Sequence, residues 1–165
     1  MLSTLDLNSG TRNFLVYWLP ALIWTLAVLS FSSDPFSAEH TGAVLKVVFG
    51  WMQPEPFDLL HFAIRKLAHL SEYGLLALLW FRAWRGARPG WNLAWARAAF
   101  GVSMAVAAID EFHQSFVPSR TSAVRDVVID CVGALVVLLI ARWFVVSSPR
   151  RHGGTEKFRQ SAAED

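Results

Sequence analysis

SAVRDVVIDCVGALVVLLIARWFVV, residues 122–146, is the stretch whose reading decides the fold. As a helix at 1.5 Å per residue it would run about 37 Å, more than the roughly 30 Å of a bilayer's hydrocarbon core. Between Val127 and Ala141 its only charge is Asp130, and Ser122 is a suitable N-cap. The segment reads as membrane-spanning, yet it carries Asp126 and Asp130 one helical turn apart on one face. A charge at the bilayer centre costs roughly 2.5–3.5 kcal/mol on insertion scales, so intramembrane acids turn inward and mark a working site. Three more ionisable side chains share that setting: His69, Glu72 and Asp110 also lie in or at the ends of apolar segments.

Composition agrees with the membrane reading. Of 165 residues, 54% are hydrophobic and 17% charged, and the mean hydropathy is +0.37; an ordinary soluble domain is less apolar than this. The 8 Trp suit a chain with membrane interfaces. A single cysteine, Cys131, excludes an internal disulfide and argues against a thiolate zinc site.

The pattern predicts an all-α integral membrane protein, a four-transmembrane-helix bundle with a short interfacial or re-entrant helix between helices 1 and 2. Helix 1 covers residues 14–33, a run without a charge; Pro20, one turn in, kinks it without breaking it. A secretory signal is the rival reading, but the run lacks an A-x-A-like cleavage pattern and contains Trp18 and Trp24. Pro35, Pro54 and Pro56 bound a loop in which residues 42–52 are too short to span. Helix 2 covers residues 58–84, polar in its first half only. Helix 3 covers 91–114, and its small residues Ala94, Ala98, Gly101 and Ala105 recur at the spacing of a close helix contact. Helix 4 covers 122–146. The transmembrane domain is therefore 14–146, between an N-terminal segment, 1–13, and a polar tail, 147–165, expected to be disordered.

Loop charges set the orientation. Residues 82–97, around the junction of helices 2 and 3, carry Arg82, Arg85, Arg88 and Arg97 without an acid, whereas residues 34–61 carry four acids and only Lys46 as a base. The positive-inside rule puts the 82–97 loop and both termini in the cytoplasm. Trp80, Trp84, Trp91, Trp95 and Trp143 fall near that inner interface. The first half of helix 2, the end of helix 3 and the start of helix 4 then share the outer half of the bilayer, where all the costly charges collect.

Helical phase brings those charges together. At 100° per residue Arg65, Lys66, His69, Glu72 and Tyr73 fall within about 120° on helix 2, Asp110, Glu111 and Gln114 within about 100° on helix 3, and Asp126, Asp130 and Gly133 within about 60° on helix 4. Facing inward, they would form an outward-open polar pocket, with Arg120 and Arg125 closing over its mouth.

The motifs KLAHLSEYG (Lys66 to Gly74), DEFHQ (Asp110 to Gln114), Arg120 and DVVIDCVG (Asp126 to Gly133), with Ser32-Ser33 after helix 1, resemble the VanZ-like family of bacterial multi-pass membrane proteins. The resemblance covers about residues 14–142. It departs at Asp130, where the family commonly carries Asn, and at Asp34, where Gln is common. It implies a multi-pass membrane protein of the bacterial cell envelope, in a family whose founding member is associated with resistance to the glycopeptide antibiotic teicoplanin. It implies no reaction.

Four uses of the cluster stay open on the sequence. Lys66, Arg65 and Arg120 could pair with Asp126, Asp110 and Glu111 as a purely structural lock, since buried charges need only be satisfied. Lys66, His69, Glu72, Tyr73, Asp110, Glu111, Gln114, Arg120, Asp126 and Asp130 could bind an anionic or amphipathic envelope ligand, a lipid-linked or glycopeptide-type molecule at the outer leaflet. His69 and Glu72 could act as a general acid/base pair of a membrane-embedded hydrolase, with Asp110, Glu111 or Asp126 as a second acid. Intramembrane His and acid residues also serve proton-coupled transport, but the inner half offers no polar path. His and carboxylate oxygens suit zinc or manganese, yet HExxH is absent; no cofactor, no metal and no nucleic-acid partner are expected, and the membrane lipid itself is the expected partner. The sequence does not set the oligomeric state.

Overall fold

A computed structural model of the protein describes residues 8–31, 38–116 and 124–147. All regular structure among them is helical. The N-terminal helix begins as α1 (Ser9–Asn13), passes through a π-helical turn (Phe14–Trp18) and continues as α2 (Leu19–Phe31). It therefore starts before residue 14, with Asn8 accepting from the Gly10 N–H at 3.3 Å as its cap. The wide turn directly precedes Pro20, which lacks an N–H and whose ring crowds the carbonyl one turn back. Widening the turn, rather than breaking it, accommodates that ring.

After α3 (Ala38–Phe49) come α4 (Pro54–Arg85), α5 (Leu93–Gln114) and α6 (Val124–Ser147). Helix α4 begins four residues before the expected 58, because Pro54 and Pro56 sit in its first turn, where no N–H donor is needed. It ends at Gly86, whose φ of +57° terminates the helix. Asn92 caps α5 through the Ala94 N–H at 2.8 Å. Ser122, Ser32-Ser33, Asp34, Arg120 and the expected tail from residue 148 lie outside the described residues.

Among the described residues three helical stretches are long and apolar enough to cross a membrane: Ser9–Ser30, Leu93–Gln114 and Val124–Ser147. Helix α6 exposes Val128, Val132, Leu135, Val136, Leu139 and Ile140, an apolar surface too large for a water-facing helix and suited to lipid. Helix α4, at 32 residues, runs about 48 Å, with its apolar second half packed among the others and a polar first half.

Helices α4, α5 and α6 pack mutually, and the N-terminal helix lies against α4. One core layer holds Ala77, Phe81, Ala96, Ala99, Ala134 and Leu138; the next holds Val28, Tyr73, Leu76, Val106 and Ala107. Close approach of α4 and α6 rests on two glycines. A Cβ on Gly133 would strike the Leu70 carbonyl oxygen and come within 2.8 Å of Leu70 Cα, and one on Gly74 would come within 2.6 Å of Val137 Cγ2. Small residues let helix backbones meet where lipid supplies no hydrophobic drive.

The close-contact face expected on helix 3 is the wrong one. Ala94 and Ala105 are exposed, and a Cβ at Gly101 would meet nothing within 4 Å. The packed face instead carries Ala96, Ala99, Ser103, Val106, Ala107, Asp110 and Gln114. Alanine is so frequent in α5 that small-residue spacing fits more than one face; the phase of Asp110 and Gln114 decides between them.

Helix α3 lies beside the start of α4, with Gly42 over the His61 ring, and exposes Val44, Val47 and Val48.

Candidate functional site

The polar end of the bundle is assembled from three helices. Helix α4 brings Lys66, His69, Glu72 and Tyr73, α5 brings Asp110, Glu111 and Gln114, and α6 brings Asp126 and Asp130. The helical phase read from the sequence is realised where it matters most: Tyr73, Asp110, Glu111, Gln114 and Asp130 are all buried, Asp130 at 1% and Asp110 at 3% exposure.

Two contacts stitch α4 to α6. Lys66 Nζ lies 2.6 Å from Asp126 Oδ1. One turn deeper, His69 Nδ1 lies 3.3 Å from Asp130 Oδ1, close enough for an ion pair but with an angle outside hydrogen-bond geometry. Within α5, Gln114 Nε2 donates to Asp110 Oδ2 at 2.8 Å. Arg125, mostly exposed, stands 3.9 Å from Asp126 at the rim. Glu72 faces His69 electrostatically, and its backbone carbonyl accepts from Trp24 Nε1 at 3.0 Å.

What the cluster leaves unpaired is more informative than what it pairs. His69 Nδ1, Tyr73 OH, Asp110 Oδ1 and Asp130 Oδ1 are buried without a hydrogen-bond partner. Asp110 lies within side-chain hydrogen-bonding reach of the Tyr73 hydroxyl, though off the geometry of a formed bond, and Asp130 is near enough to act on it electrostatically. Each unsatisfied buried polar group costs about 1–3 kcal/mol, and native structures keep few of them. Two of the four, His69 Nδ1 and Asp130 Oδ1, face each other at 3.3 Å, so the bonding left open lies chiefly at the Tyr73 hydroxyl and Asp110 Oδ1.

Among the described residues no group of three or more His, Cys, Asp or Glu is arranged to hold a metal ion. Ser71 is exposed on α4, and the buried Ser103 hydroxyl is spent on the Ala99 carbonyl at 3.0 Å. His113 is exposed and Cys131 partly exposed, outside the cluster. Two contributors went unseen in the sequence. Trp24, from the N-terminal helix, holds the Glu72 carbonyl, and Trp80 Nε1 donates to Thr25 Oγ1 at 3.1 Å; both are single cross-helix contacts with no periodic signal.

The opposite end is aromatic and basic. Trp18 meets Trp84 and Trp80 edge to face, with ring centroids 5.0 and 6.1 Å apart, and Phe81 stacks on Trp91 at 4.5 Å. The start of the N-terminal helix and the α4–α5 connection therefore occupy the same end of the bundle.

A polar cluster enclosed by apolar helices of spanning length defines a small, all-helical protein of the membrane class. The family model described as VanZ/LLP1 matches residues 14–145, and the chain belongs to this family. Searches of curated proteins and of solved structures find no match.

Proposed function

We propose that the protein spans the bacterial cytoplasmic membrane with α4 as a fourth crossing and both termini inside, and that its outward-facing polar cluster binds an amphipathic ligand of the cell envelope. The observation that carries this reading is the pair of buried atoms Tyr73 OH and Asp110 Oδ1, left without a formed hydrogen bond beside the His69–Asp130 couple where three helices meet. Lys66 is already committed to Asp126, so the acceptor left open is the Asp110 carboxylate oxygen, beside the Tyr73 hydroxyl. That favours a ligand head presenting hydroxyl or amide donors, such as a glycosyl or peptidyl group on a lipid carrier, over a bare anion. The family's association with glycopeptide resistance is compatible with such a ligand.

A structural lock is the second reading, supported by the two α4–α6 ion pairs. Such pairs explain Lys66 and Asp126; they do not explain the unpaired Tyr73 and Asp110 atoms. A hydrolase reading would use the His69–Asp130 couple, with Glu72 nearby, as acid and base.

The test is mass spectrometry of envelope lipids retained by protein purified in nanodiscs from native membrane. The wild type should retain a species that Asp110→Asn loses while keeping its helical circular dichroism and unfolding transition. An unchanged lipid profile would sink the binding reading, and loss of folded protein would return the cluster to a structural role. Incubation of the retained species with fresh protein separates binder from hydrolase, since only a hydrolase forms product.

A further inference from the structure

The end of the bundle away from the polar cluster holds a cavity of about 710 Å³. Its walls include Asn13, Tyr17 and Trp18 from the start of the N-terminal helix and Trp84, Arg85 and Arg88 from the end of α4 and the turn beyond it. That volume is in the range of sites that take a small organic ligand, about 300–1,000 Å³.

The chemistry of the walls is one-sided. Residues 82–97 contain four arginines and no acid. Gly86, at φ +57°, reverses the chain so that Arg85 and Arg88 clasp each other: Arg85 Nε donates to the Arg88 carbonyl at 2.8 Å and Arg88 Nε to the Arg85 carbonyl at 3.0 Å. Arg88 also donates to the Trp84 carbonyl. A guanidinium has five N–H donors, so this clasp fixes the two heads without exhausting them. Their charge also offsets the negative end of the α4 dipole, which would otherwise repel an anion.

A second observation names the ligand's polarity. Trp84 Nε1 is buried and has no hydrogen-bond partner. An indole N–H is a donor only, so a group that met it would present an acceptor oxygen and not an ammonium. Several donors around one spot match the tetrahedral oxygens of a phosphate, and guanidinium is the side chain best shaped for it. Alongside, the Trp18 and Trp84 rings meet edge to face at 5.0 Å and form an apolar part of the wall. A ligand that is phosphate at one end and apolar at the other uses the whole wall.

We propose that this cavity is a second binding site, for a phosphate-bearing amphiphile, with Arg85, Arg88 and the Trp84 indole N–H holding the phosphate and Trp18 and Tyr17 packing its apolar part. A plain aromatic belt would place these residues at an interface but would not require a buried orphan donor beside two clasped arginines.

The experiment uses the full chain in detergent and counts bound lipid by native mass spectrometry. The probes are phosphatidylglycerol, phosphatidylcholine of the same acyl chains, and inorganic phosphate. Phosphatidylglycerol should be retained over phosphatidylcholine, and Arg85→Gln/Arg88→Gln should lower its retention about tenfold or more, as expected for losing a hydrogen bond to a charged group worth about 1.5–3 kcal/mol. Trp84→Phe keeps the ring and removes only the N–H, so it should weaken retention by a smaller factor with the unfolding transition unchanged. Arg142→Gln, basic and at the same end but outside the cavity, should change nothing. Displacement of the lipid by inorganic phosphate would assign recognition to the phosphate alone; persistence of the lipid would assign it to the whole amphiphile. Equal retention of the two lipids, or an Arg142→Gln effect as large as that of the double variant, would overturn the site.

Discussion

Replacing Gly133 by alanine tests the joint that holds the polar cluster together. The added Cβ would collide with the Leu70 carbonyl oxygen and stand 2.8 Å from Leu70 Cα and 3.0 Å from its carbonyl carbon. Ordinary carbon–carbon contact is about 3.5–4.0 Å, so α4 and α6 must part by about 0.7–1.2 Å at this level. The atoms met are backbone and cannot rotate aside, and overpacking of this kind costs about 1–3 kcal/mol. Parting the helices also stretches the His69 Nδ1–Asp130 Oδ1 contact from 3.3 Å to about 4.0–4.5 Å by the same displacement, which ends it as an ion pair. Two other glycines calibrate the effect. At Gly74 the methyl would meet Val137 Cγ2 at 2.6 Å, a side-chain atom that can yield, so the cost should be smaller. At Gly101 nothing stands within 4 Å, and alanine should be neutral or should stabilise the helix by up to about 1 kcal/mol. Equilibrium unfolding in mixed micelles, followed by tryptophan fluorescence, should rank the variants Gly133→Ala, Gly74→Ala, Gly101→Ala from most to least damaging. Gly133→Ala unfolding like the wild type, with Gly101→Ala impaired, would refute the α4–α6 contact and the cluster geometry built on it.

Three further outcomes are expected. Lys66→Met should destabilise by about 1–3 kcal/mol, less than for a fully buried pair because both side chains are 19% exposed; the double variant with Asp126→Leu should recover most of it in a double-mutant cycle, and additive losses would count against the pairing. Tyr73→Phe removes a buried hydroxyl that has no partner, so the ligand-free protein should be as stable as the wild type or more so; retained lipid should nevertheless fall, and a parallel fall in stability would make the hydroxyl structural. A cysteine at Ser115, at the end of α5, in a Cys131→Ala background should react with an impermeant thiol reagent in intact cells; reaction only after lysis would invert the orientation.

Much of the site was legible because a helix imposes a strict phase. Lys66, His69, Glu72 and Tyr73 recur at three- and four-residue steps, and Asp126 and Asp130 are one turn apart, so inward-facing charges could be aligned before any coordinates. The expensive placement of acids in apolar helices made that inference strong. The partnering within the cluster was not legible. Whether Lys66 pairs with Asp126 or Asp110 depends on axial offset between helices, which periodicity does not contain, and the same limit hid the Trp24–Glu72 and Trp80–Thr25 contacts. The contact face of α5 was misread because Ala94, Ala98, Gly101 and Ala105 mimic a packing stripe. Helix starts at Ser9 and Pro54 were missed because Thr11, Arg12 and the prolines read as loop, although proline is at home in a first turn.

The central claim is that the buried polar atoms of the cluster are completed by something other than the protein. A density map of the protein purified with its native lipids, resolved well enough to see ordered groups between α4, α5 and α6, tests it most directly. The account predicts non-protein density within hydrogen-bond distance of Tyr73 OH, Asp110 Oδ1 and Asp130 Oδ1. Those atoms turned toward one another in closed hydrogen bonds, with no density between them, would contradict it.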